Sequence, residues 1–185
     1  RVRVGIDAGL AFGHQPTGVG YFSRSLLNAC LEKIPENFQV FLYCPPAYQL
    51  HARLTTNSER ITIRSRPEFH VQLIPLWWTL WSWVDRLDLF YTTRIQYPLL
   101  AKGRKVCTLH DTIFEEYPQC YPPGQPAYFR SAFRKTLKHC SGAVVDSNST
   151  ATNLRHYFGT SKPLIVVEAA ARPEFQPGDH QPPVA

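Results

Sequence analysis

Gly103–Tyr117 reads GRKVCTLHDTIFEEY. Turn residues and a basic pair open it. Val106, Cys107, Thr108 and Leu109 are apolar or β-branched on both faces, the composition of a short strand buried on both sides. His110 and Asp111 stand where that strand ends. In open parallel α/β sheets ligands bind outside the carboxyl ends of the strands. The pair therefore sets a proton acceptor and a hydrogen-bonding group at the mouth of a cleft. The same two residues also fit a plainer role, a His closing a strand and a carboxylate capping the next turn.

Outward from this stretch, strands and helices alternate. Val2–Asp7, Phe38–Tyr43, Arg60–Ser65 and Asp88–Thr92 read as strands before it, and Gly142–Val145 and Leu164–Val167 after it. Between them lie four helical patterns. The first opens at Gly18-Val19-Gly20 with Thr17 as N-cap and an apolar face of Val19, Phe22, Leu26 and Cys30. The second runs through Leu73–Leu87, with Pro75 in its first turn and Trp77, Leu80, Trp81, Val84 and Leu87 on its apolar face; Trp78 and Trp83 fall partly outside that face. The third, Pro126–Cys140, turns Phe129, Ala132, Phe133, Thr136, Leu137 and Cys140 inward and Arg130, Arg134 and Lys138 outward. The fourth ends at Phe158 and is capped by Ser147 or Ser149. This alternation predicts an α/β fold, a doubly wound and mostly parallel sheet with helices on both faces. Three strand ends carry polar or flexible groups: the loop to Gly18–Gly20, His110-Asp111 and Asp146-Ser147.

Glycines at a helix N-terminus let a ligand approach the backbone, and the exposed N–H groups attract phosphate. The dinucleotide fingerprint is not met: Ser23 stands in place of its third glycine, and ten residues separate Asp7 from Gly18. The glycines equally fit a turn required only by backbone geometry.

The net charge of +6 suits an anionic membrane surface or a phosphate-bearing substrate, and the lack of any long Lys/Arg run argues against nucleic acid. Five cysteines, an odd number without a CxxC pair, suggest neither a disulfide framework nor a thiolate zinc site, and fit free thiols in a reducing cytoplasm. No apolar run reaches the ~18 residues of a membrane helix, and no signal peptide is expected at the start of the chain. The Arg130/Arg134/Lys138 stripe and the Trp at the helix edge make peripheral contact with the inner face of the membrane an expectation. Residue 1 is Arg and Met is absent, which reads as part of a longer protein; Gln176–Ala185, QPGDHQPPVA, reads as a linker.

TGVGYFSRSLL, DLFYTT, KVCTLHDTIFEEYP, AVVDSNSTATNLRHYFG and LIVVEAAARPEFQP occur in this order. Together they resemble the N-terminal domain of group 1 (family 4) glycosyltransferases of the GT-B fold. The resemblance implies that residues 1–175 form a Rossmann-like, acceptor-side domain. It makes 176–185 the linker toward a C-terminal domain that binds the nucleotide sugar. It also implies a retaining hexosyltransferase that needs no metal or other cofactor. The partners it implies are a nucleotide-sugar donor and a glycan or lipid-linked acceptor, with no nucleic acid. His110 is the implied catalytic residue, lying beside the transferred sugar. Thr17, Gly18, Val19, Gly20, Asp111 and Ser147 are the implied substrate-binding set. The chain departs from the family pattern at Tyr21, where Arg is common, and at Ala169-Ala170-Ala171, where Asn-Gly is common. Two other readings remain open: a non-catalytic phosphate- or sugar-binding module, and a nucleotide-sugar epimerase of similar fold.

Overall fold

The computed structural model describes residues 1–12, 17–45, 59–65, 71–95 and 98–169. The linker stretch 176–185, much of the loop before Thr17 and the Pro45-Pro46 strand stop beyond Pro45 lie outside them. Among the described residues, seven strands form one parallel sheet: β1 Val2–Asp7, β2 Phe38–Cys44, β3 Ile61–Ser65, β4 Leu89–Thr92, β5 Arg104–Leu109, β6 Gly142–Val145 and β7 Leu164–Val166. Their order is β3-β2-β1-β4-β5-β6-β7. The helices are α1 Gly18–Glu32, α2 Ile74–Val84, α3 Ile113–Glu116, α4 Gln125–His139 and α5 Asn148–Phe158. This is the expected doubly wound α/β fold.

Alternation along the strands splits the core in two. Phe41 and Tyr43 of β2 join Phe90, Cys107, Leu109, Ala143 and Val145 under α2, α4 and α5. Val40 and Leu42, one residue out of phase, join Val4 and Ile6 under Leu27 and Leu31 of α1. The chain leaves β1 toward β2 on one side and returns through β4 on the other. That reversal opens a crevice at the carboxyl ends of β1 and β4, the place where such sheets bind ligands.

Expectations for α1 and α2 need correction. In α1 the buried residues are Gly20, Ser23, Leu27 and Leu31, one position on from the predicted stripe, and Cys30 is exposed. Small Gly20 and Ser23 let this helix lie close to the sheet, so the bulky leucines that follow them set its phase. Thr17 holds the N-cap position in extended conformation but makes no side-chain cap bond; its carbonyl accepts from Tyr21 N. In α2 the buried residues are Ile74, Trp78 and Ser82. Trp78 is 3% exposed and packs on Phe90, with ring centroids 5.7 Å apart, so it is a core residue and not one at the helix edge. Leu80 and Val84, predicted to be inside, face solvent. On α4 the stripe faces outward as expected, with Arg130 also tied to Glu115 through a two-pronged ion pair with Nη2–Oε2 at 2.7 Å.

Candidate functional site

β5 pairs with β6 as far as Leu109↔Val145. The next residues of the two strands, His110 and Asp146, therefore emerge side by side at the carboxyl edge. His110 Nδ1 lies 3.4 Å from Asp146 Oδ2. Ser147 caps α5, its Oγ accepting from Thr150 N at 3.1 Å. Its hydroxyl lies 2.9 Å from Thr150 Oγ1. Thr150 Oγ1 in turn lies 2.9 Å from the His110 carbonyl and 3.2 Å from Asp146 Oδ1, with one proton to give. The cap of α5 thus holds both the backbone and the ring partner of His110. From the other side Phe22 of α1 meets the imidazole edge-on, with centroids 5.2 Å apart and planes at 87°.

His110 Nε2 is shut away from water and has no hydrogen-bond partner among the described residues. A buried polar atom left this way costs on the order of 1–3 kcal/mol. In native structures such a group marks stored strain, a catalytic role, or a bound water or ion.

His110 borders a pocket of about 260 Å³ together with Val19, Asp111 and Arg94, closed on the α4 side by Phe114, Tyr121, Phe129 and Phe133. Three of the predicted site residues, Val19, His110 and Asp111, thus share one pocket. The other four do not line it. Thr17 and Gly18 are exposed at the start of α1, and Gly20 is turned into the core. Ser147 stands behind His110 as the helix cap just described. Asp111 also serves the plainer role, its Oδ1 accepting from Ile113 N at 3.1 Å to cap the short α3. Burial, and after it the Asp111 carboxylate, raises the Tyr121 phenol above its ordinary value.

The sequence reading missed Asp7 and Arg94. Asp7 ends β1 and Arg94 lies just beyond β4, so the two flank the reversal point of the sheet. Arg94 Nε lies 2.9 Å from Asp7 Oδ2. The guanidinium stands 5.9 Å from the Trp78 ring. A side chain at Gly9 would meet Arg94 Nη2 at 2.8 Å, so glycine there leaves room for the guanidinium. Arg94 borders the His110 pocket on one side and a second pocket of about 170 Å³, with Asp7, Tyr43, Cys44 and Trp78, on the other. It is an immobilised cation at the crevice, placed to meet an anionic or hydroxyl-bearing ligand. The strand-end rule applied to β4 would have found it.

No curated protein matches the chain. Residues 16–170 match the family described as Glycosyltransferase Family 4, a span that begins just before α1 and includes every strand from β2 to β7. The match covers most of the chain, and the all-parallel, Rossmann-like α/β sheet is consistent with half of a GT-B fold. The chain belongs to glycosyltransferase family 4, as the N-terminal domain of a GT-B glycosyltransferase.

Proposed function

We propose that this domain forms the acceptor side of a retaining glycosyltransferase that moves a hexose from a nucleoside-diphosphate sugar to a hydroxyl on a glycan or a lipid-linked saccharide. The observation that carries the reading is His110: a ring held by Asp146 and Phe22, with Nε2 buried and unpartnered beside a pocket at the carboxyl edge. Such a nitrogen suits a bond to a sugar or acceptor hydroxyl, and its neutral form can accept the proton of that hydroxyl or donate to its oxygen. The N-terminus of α1, with Gly18 exposed, faces the same crevice through Val19 and supplies partial positive charge toward a departing phosphate. A second domain after the linker at 176–185 completes the donor site, and the enzyme works in the cytoplasm.

The test uses the full-length protein with radiolabelled UDP- and GDP-hexoses and a panel of glycan and lipid-linked acceptors, the anomeric configuration of the product being read by NMR. Transfer with the donor's configuration kept is expected. A product of opposite configuration removes the retaining mechanism, and no transfer from any donor leaves the sugar-binding module as the better reading.

A further inference from the structure

An amphipathic helix at a protein surface puts polar residues toward water. α2, IPLWWTLWSWV, carries no charged side chain at all. Ile74 and Trp78 fill the core, yet Leu76, Leu80, Trp83 and Val84 form a second apolar stripe on the opposite side, spaced i, i+4, i+7 and i+8. Leu76 is 64% exposed and Trp83 59%. Leu99 and Leu100 extend the stripe, Leu100 at 76% exposure, and Trp83 Nε1 donates to the Leu100 carbonyl at 3.1 Å. Between α2 and α4 runs an open groove of about 720 Å³, walled by Pro75, Leu76, Pro98, Leu99 and Leu100 and edged by Lys135. Its inner wall, Ile95, is shared with the His110 pocket.

A helix apolar on all sides is either buried or in contact with lipid. Eleven residues rise about 16 Å, roughly half the hydrocarbon core of a bilayer, so α2 is too short to span one. Among the described residues no helix is long and apolar enough to cross. The rim is cationic. Lys102 stands 6.0 Å from the Trp83 ring, Lys135 borders the groove, and Arg86 is exposed just past the helix end. The carboxylates that follow α2 are engaged: Asp85 is buried against Arg64 and Tyr43, and Asp88 accepts from Arg3 N. An apolar stripe with a basic margin and, among the described residues, no unengaged acid beside it complements an anionic bilayer surface.

We propose that the solvent face of α2, with Leu99 and Leu100, is an interfacial docking surface for anionic phospholipid. The leucines and Trp83 enter the headgroup–acyl boundary, and Lys102 and Lys135 meet the lipid phosphates. This places membrane contact on α2 and the 98–102 segment in place of the outer stripe of α4, and it stands whatever sugar the enzyme transfers.

The experiment is vesicle sedimentation of the chain with phosphatidylcholine alone and with added phosphatidylglycerol, with thermal melts of every variant. Wild type is expected to sediment with the anionic vesicles and only weakly with neutral ones. Leu76→Ser with Leu100→Ser, both at exposed positions, should weaken that binding about tenfold without moving the melt. Lys102→Glu with Lys135→Glu should weaken it by a similar factor and abolish the preference for phosphatidylglycerol. Undiminished binding by either pair overturns the proposal. So does a wild type that ignores vesicles but forms a dimer in sedimentation equilibrium that the leucine pair disperses, since the face would then belong to a second copy. Should the leucine pair lower the melt, the lysine pair alone decides.

Discussion

His110 and Asp146 follow the last paired residues of two neighbouring parallel strands, and that register, with Thr150 holding both, brings Nδ1 to within 3.4 Å of Oδ2. The carboxylate engages one nitrogen, and the other, Nε2, is buried without a hydrogen-bond partner among the described residues. In the full-length enzyme His110→Ala is expected to lower turnover on the order of 10²–10³-fold, the size of losing one positioned hydrogen-bonding group in a closed site. It should cost little stability, because losing the Phe22 contact and the partly exposed Asp146 pair is offset by removing a buried nitrogen with no partner among the described residues. Initial rates normalised to folded protein, with melts in parallel, check this. Near-normal turnover per folded molecule would return the residue to a strand-closing role.

Arg94→Ala takes away the guanidinium facing Asp7, whose side chain is 3% exposed. A loss of about 3 kcal/mol is expected, the low end for breaking a buried pair because Arg94 is itself partly exposed. Adding Asp7→Asn should recover most of it. Urea unfolding of the wild type, the single variant and the double variant measures the recovery; a double variant no more stable than Arg94→Ala would show that the pair does not hold the crevice.

Gly18 and Gly103 separate approach from backbone need. Gly103 sits at φ +85, where a side chain would meet the Asp88 carbonyl carbon at 2.6 Å, so Gly103→Ala should cost about 2 kcal/mol or more. A Cβ at Gly18 meets nothing within 4 Å, so Gly18→Ala should melt like wild type. If the start of α1 receives the donor phosphate, Gly18→Val nevertheless lowers donor affinity in the full-length enzyme. Unchanged donor KM in that variant removes α1 from the donor site.

Alkaline pH is expected to destabilise the chain through two overlapping titrations. Burial, then the Asp7 carboxylate, pushes the Cys44 thiol from 9.0 up to about 12. Burial, opposed by the Thr108 hydrogen bond, pushes the Tyr91 phenol from 10.0 up to about 12. Both folded values lie above the unfolded ones, so the native state keeps protons that the unfolded chain has released. Their contribution is complete below pH 9.0 and is lost as pH climbs toward 12. Melts taken from about pH 8 to 11 should fall steadily above 9, and Cys44→Ala should delay the onset. A flat profile across that range would contradict the burial of these two groups.

Strand existence was legible because both-face burial leaves a dense apolar run, as in VCTL of β5 and GAVV of β6. His110 was legible because a strand's end can be found without knowing its neighbours. Arg94 was not. Its importance comes from the reversal between β1 and β4, and strand order is a non-local fact that periodicity does not encode. Helix phase failed where local chemistry misled. Ser23 and Ser82 look polar but are buried, Ser82 donating to the Thr79 carbonyl and accepting from Lys102 N. Leu80 and Val84 look like core and face outward, because Ile74, Trp78 and Ser82 set the buried side of the helix.

The Arg64–Asp85 pair also bears on how the sheet keeps its edge. Among the described residues β3 is an outermost strand, paired with β2 alone, and the Tyr43↔Arg64 register sets both side chains toward Asp85. A slip of one residue would swing Arg64 to the opposite face of the sheet and strand Asp85, 1% exposed, without its guanidinium. Edge strands are where sheets misalign and recruit foreign strands. Here a single carboxylate at the end of α2 acts as a proofreader for that edge, tolerating one alignment of β3 and penalising its neighbours.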